Sequence, residues 1–136
     1  MKKEGRIMEI PAKKAAIAPE GVYIIGTYDE NGQANAMNAA WGSQSDYGEV
    51  TFFLGKHKTT KNLKTTGAFT VAFGTAETVT ISDYFGVETG NRVNKIEKAG
   101  VHVHKSAHVN APIITHVGEK THGFNREDAS PLLYFM

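Results

Sequence analysis

"GVYIIGTYDENGQANAMNAAW", residues 21–41, decides the fold. A β-branched and aromatic run over 22–28 meets "DENG" and then an alternating stretch ending at Trp41. Asp29, Asn31 and Gly32 carry the turn chemistry of a tight hairpin, so two antiparallel strands are predicted on either side of it. The second strand is unusual. Asn35, Met37, Ala39 and Trp41 fall on one face, and Ala36, Asn38 and Ala40 on the other. Side chains this small let another body approach the backbone: either a flat ligand that hydrogen-bonds to main chain and amides, or the packed interior of a small barrel.

Working outward, "EVTFFLG" (49–55) and "AFTVAFG" (68–74) read as further strands, with a short helix over 60–66 stopped by Gly67. "AETVTISDYFG" suits helix or strand, and "NRVNKIEKAG" (91–100) reads as a helix closed by Gly100. "VHVHKSAHVNAPIITHV" gives two short strands separated by Pro112, and the tail from Gly118 is turn-rich with an apolar end. Many short strands with antiparallel connections and few helices predict a mainly β, antiparallel barrel or sandwich.

Composition narrows the function. A chain of 136 residues, 40% hydrophobic and 21% charged, is expected to form one domain (1–136). A net charge of +1 argues against nucleic acid as a partner. The absence of cysteine removes disulfides, thiolate nucleophiles and thiolate metal sites. No run approaches the ~18 apolar residues of a membrane span, and the N-terminus lacks a signal-peptide core. The expectation is a soluble, cytoplasmic protein without a membrane partner.

Three clusters could carry chemistry. "GKHKTTKNLK" (55–64) places Lys56, His57, Lys58, Lys61 and Lys64 together without an acid, at a strand-to-helix junction bearing Thr59 and Thr60. Helix N–H groups, hydroxyls and ammonium groups there form an anion site suited to phosphate; the alternative is a solvated basic face with Thr60 as N-cap. His102, His104 and His108 could bind a metal, but no carboxylate lies near them in sequence. No dinucleotide-binding glycine fingerprint or nucleophile elbow is present.

With the hairpin, the basic junction and "DYFGVETGNRVNK" (83–95) together, the chain resembles the flavin reductase-like family of FMN-binding split barrels, nearest its flavoredoxin-type branch, from about Gly21 to Pro112. The resemblance implies a split β-barrel with short flanking helices and FMN as cofactor. Asn38, Ala39, Ala40 and Trp41 would lie along the flavin ring. Lys56, His57, Lys58 and Thr59 would gather the phosphate, His57 replacing the family's arginine. In "TGNRVNK", Gly90 and Lys95 match the family's second phosphate loop, with Thr89 for serine and Asn94 for an acid. It also implies NAD(P)H or a redox protein as electron donor, a homodimer, no metal and no identified acid–base residue. A flavin-binding electron carrier without turnover is the other flavin reading, and a metal protein built on the histidines a third. The C-terminal third is short against the family: "THVGE" looks like a later family strand brought close to Pro112, and Pro131 to Tyr134 like its closing segment.

Overall fold

A computed structural model describes residues 20–115 and the strand 121–125. The predicted hairpin is β1 (Tyr23–Tyr28) and β2 (Ala34–Ala39). Its turn is fixed by two backbone bonds, Gly32 N–H to the Asp29 carbonyl and Asp29 N–H to the Gln33 carbonyl, each 3.0 Å. Gly32 takes φ 78°, which a side chain would disfavour. The Asp29 carboxylate accepts from the Asn31 and Gln33 amides at 2.9 Å. A second hairpin joins β3 (Gly42–Asp46) to β4 (Glu49–Phe52). Next come α1 (Lys58–Thr66), β5 (Ala68–Phe73), α2 (Val79–Val87) and α3 (Lys95–Ala99). The described chain finishes with β6 (Val103–Lys105), β7 (Pro112–Ile114) and β8 (Thr121–Asn125).

The main sheet runs β2-β1-β5-β8, every pair antiparallel. Residues from both faces of β1, β2 and β5 enter the core. Ile24, Ala36 and Ala72 pack with Phe85, Ile96, Val101 and Ile114 on one side. Ile25, Met37, Ala39, Phe69 and Val71 pack with Phe52, Leu54 and Leu63 on the other. The small residues of β2 therefore admit protein on the Ala36 face: α2 and α3 lie against it. Gly26, in the middle of β1, lets β7 cross closely. A Cβ there would lie 2.6 Å from Thr70 Oγ1 and 2.7 Å from the Pro112 carbonyl oxygen, which accepts from the Thr70 hydroxyl.

Several expectations shift. The β2 strand ends at Ala39, before Trp41, because Gly42 opens the second hairpin. "NAMNAAWGSQSDY" (35–47) reads in sequence as a single stripped-down strand, whereas its "GSQSD" part forms the separate strand β3, with its polar side chains largely exposed. The α1 helix begins at Lys58, and its N-cap is His57, not Thr60, whose hydroxyl instead donates to the Gly55 carbonyl at 2.6 Å. The ambiguous 76–86 segment resolves largely as helix α2. The next helix is shorter than expected, because Asn94 caps it by accepting from the Glu97 amide at 3.3 Å. Pro112 does not separate β6 from β7 but opens β7, the position in a strand where a missing N–H is tolerated. The turn-rich tail contains β8, paired with β5; "THVGE", apart from Thr115, lies outside the described residues. Pro131 to Tyr134 lie outside the described residues.

Candidate functional site

The phase of the main sheet determines what β2 presents. Gly74 N–H donates to the Val22 carbonyl, so even-numbered residues of β1 bond toward β5 and odd-numbered ones toward β2. In the β1–β2 register Ile25 faces Met37 and Thr27 faces Asn35, so the main-chain groups of Ala36 and Asn38 turn away from β1. Among the described residues no strand pairs with that outer edge.

Beside this edge lies a cavity of about 260 Å³. The β2 strand contributes Asn35, Met37 and Asn38, and the junction before α1 contributes His57, Lys58 and Thr59. The end of α2 and the loop after it supply residues from Phe85 to Gly90, and α3 supplies Lys95. Of the sequence-derived candidates, Asn38, His57, Lys58, Thr59, Gly90 and Lys95 thus converge on one space. Ala39 does not join them, because its side chain points into the core. Ala40, Trp41 and Lys56 are exposed and are not among the lining residues; Trp41 keeps 71% of its surface in solvent.

Cations outnumber the one acid, Glu88, among the lining residues. Lys95 is only 4% exposed, and its ammonium donates to the Phe85 carbonyl at 2.9 Å. Burial lowers its pKa to about 8 from the ordinary 10.5, with Glu88 opposing the shift. Among the described residues no carboxylate lies within ion-pair distance of it. The α1 N-terminus adds to this positive field. His57 makes no side-chain cap, and the first turn has no acid, so its leading N–H groups are not met by a capping side chain. Lys58 is held differently. It pairs with Asp29 at 3.3 Å, an acid brought by the hairpin turn that the junction sequence does not contain. The Asn31 and Gln33 amides and Lys58 hold the Asp29 carboxyl below its usual range, outweighing a burial effect that would raise it.

Two amides fix the walls. Asn38 Nδ2 donates to the Ser82 carbonyl at 2.9 Å, tying α2 to β2. Asn35 Nδ2 donates to Thr59 Oγ1 at 3.0 Å. A Cβ on Gly90 would fall 2.2 Å from Asn35 Oδ1, so only glycine fits there without displacement. The sequence offers Asn35, with Asn38, as an amide facing the edge of a ligand, but not as the partner of Thr59; Phe85 and Glu88 give no signal, because the α2 segment is ambiguous. His104 is exposed on β6 beside an exposed His102. Among the described residues no group of three or more His, Cys, Asp or Glu gathers to hold a metal. No described helix is long and apolar enough to cross a membrane.

This mainly β frame, with a cation-lined cavity at the edge of its sheet, is that of a flavin reductase-like domain. The family model described as "Flavin reductase like domain" matches residues 16–118, and the chain belongs to that family. Among solved structures, flavoredoxin of Desulfovibrio vulgaris (Miyazaki F) is 26% identical, with a TM-score of 0.74 over 80% of this chain and 62% of that one. The chain therefore spans about three fifths of that flavoredoxin's length. A split-barrel domain protein from Shewanella frigidimarina NCIMB 400 is 13% identical, with a TM-score of 0.66 over 78% of this chain and 55% of that one. An FMN-binding protein from Thermus thermophilus, solved with 1-cyclohex-2-enone, is 16% identical, with a TM-score of 0.67 over 91% of this chain and 68% of that one. The fold is the split barrel of these domains. No curated protein matches the chain.

Proposed function

We propose that this chain binds FMN at the β2 edge and acts as a flavin reductase-type oxidoreductase. The observation that carries the reading is Lys95: a buried ammonium without a paired carboxylate, in a cavity that also receives the bare N-terminus of α1. A phosphate monoester, with close to two negative charges, is the chemical complement of that arrangement. Lys95, Thr59 and the α1 N–H groups would hold the phosphate, with Lys58 beside them, and Gly90 leaves the space. The cavity is slightly smaller than the ~300 Å³ lower bound for drug-sized ligands, which suits the phosphate end with the heterocycle along the open edge of β2. Its name marks the Thermus protein as FMN-binding, and flavoredoxin lies at higher identity. When bound, FMN supplies the redox chemistry, and the protein supplies position and charge.

The reading predicts that FMN binds more tightly than riboflavin, measured by quenching of flavin fluorescence. Equal affinities would remove the phosphate argument.

The electron donor is proposed to be a reduced nicotinamide nucleotide. A second recess of about 270 Å³ adjoins the first, sharing Asn35, Lys58, Gly90 and Lys95, and adds Arg92, Asn91 and Asn94. Its cations suit a donor's phosphates. Reduction of the loaded protein by NADPH should slow as salt rises, because exposed charges are screened over about 10 Å at 0.1 M. Absence of any bleaching would favour the carrier role, with electrons arriving from a protein.

A further inference from the structure

Four threonines of α1 divide into two kinds. Thr60, Thr65 and Thr66 donate their hydroxyls to backbone carbonyls of Gly55, Lys61 and Asn62. Thr59 does not. Its Oγ1 accepts from Asn35 Nδ2, and none of the described residues accepts its own hydrogen. A hydroxyl offers one hydrogen and two lone pairs. With one lone pair taken by the amide, the hydrogen cannot point at Asn35. Thr59 is 1% exposed and lines the cavity, so that hydrogen is left for whatever fills the space.

We infer that Asn35 is a positioning and specificity residue: by donating to Thr59 it turns the Thr59 hydroxyl into a donor, so that the cavity selects an acceptor-only group such as a phosphate monoester over a neutral alcohol. This rests on the FMN reading above and adds the device that discriminates. Asn35 suits the task because it is itself buried and hydrogen-bonded. It is 4% exposed, on a strand, and its Oδ1 sits over Gly90, where no Cβ intervenes. The strand, the helix start and the loop before α3 are thereby registered through one carboxamide. Riboflavin ends in a hydroxyl that can donate or accept, and it gains less from a fixed donor than the phosphate of FMN does.

The test is a set of affinities for FMN and for riboflavin in the wild type, Asn35→Ala, Thr59→Val and the double variant, with unfolding midpoints measured alongside. Each single change should weaken FMN by roughly tenfold or more, the scale of one hydrogen bond to a charged group. Riboflavin affinity should hold, and the double variant should bind FMN no more weakly than Thr59→Val alone, since Asn35 acts through Thr59. Equal losses for both flavins, or additive losses in the double variant, would overturn the inference. Should Asn35→Ala fail to fold, Asn35→Asp keeps the shape. An ionised carboxylate there only accepts, so Thr59 must turn its hydrogen toward it, and the preference for FMN should collapse; an unchanged preference overturns the assignment. A wild type that binds both flavins equally would instead bring down the FMN reading, and this inference with it.

Discussion

A buried ammonium without a carboxylate at ion-pair distance is held at a cost, and that cost has a pH signature. The folded-state pKa of Lys95, about 8, lies below its ordinary 10.5. Between those values the unfolded chain binds more protons than the folded one, so the Lys95 contribution to stability rises as pH climbs through the window. Affinity for an anionic ligand should move the opposite way, falling above pH 8 as the ammonium is lost. Denaturation midpoints and FMN titrations from pH 7 to pH 10 (roughly the span of that shift) should show the opposed slopes, and Lys95→Met should flatten both. Parallel slopes would contradict the placement of this lysine. Gly90→Ala is a second probe at this scale. Its Cβ would meet Asn35 Oδ1 at 2.2 Å, and overpacking of this kind costs about 1–3 kcal/mol. It should lower both FMN affinity and the unfolding midpoint. Thr59 is offered by the basic junction as well as by the family resemblance, whereas Gly90 and Lys95 are reached only through that resemblance; the structure brings all three to one cavity. Asn35 is legible as a ligand-facing amide but not as the partner of Thr59: an amide in a strand says nothing about which hydroxyl it will meet 24 residues later in the chain.

At the scale of elements, close approaches make the scaffold. Gly26→Ala would drive a Cβ to 2.7 Å from the Pro112 carbonyl oxygen, a backbone atom that can retreat only if β7 shifts. We expect a loss of about 2–4 kcal/mol, near the upper end for single substitutions, read from urea midpoints. A loss under about 0.5 kcal/mol, the range of an inert surface change, would mean that β7 does not cross β1 this closely. The elements that sequence reading found, β1, β2, β4, α1 and β5, each announce themselves locally by alternation, a turn motif or a glycine stop. Those it missed or misplaced depend on partners. The polar β3 is a strand because β4 pairs with it, β8 because β5 offers a free edge, and α3 starts late because Asn94 caps it.

For the whole molecule, assembly is the open quantity, and we propose a two-fold homodimer. Trp41, Tyr47 and Val87 expose 71%, 101% and 78% of their surfaces, a set of large apolar groups that a second copy would cover. Light scattering of the FMN-loaded protein should give twice the mass of one chain, and Trp41→Ser should shift the equilibrium toward monomer. A monomer mass at full FMN loading would end the proposal. One further consequence follows from the way β1 lies between β2 and β5. Its amides alternate in allegiance, those of Ile25 and Thr27 bonding toward β2 and those of Ile24 and Gly26 toward β5. Deuterium uptake at β1 should therefore be the slowest in the described chain, since both its faces are covered. Addition of FMN should then slow the odd-numbered amides more than the even-numbered ones, so that a single strand reports, residue by residue, which of its neighbours the cofactor has steadied.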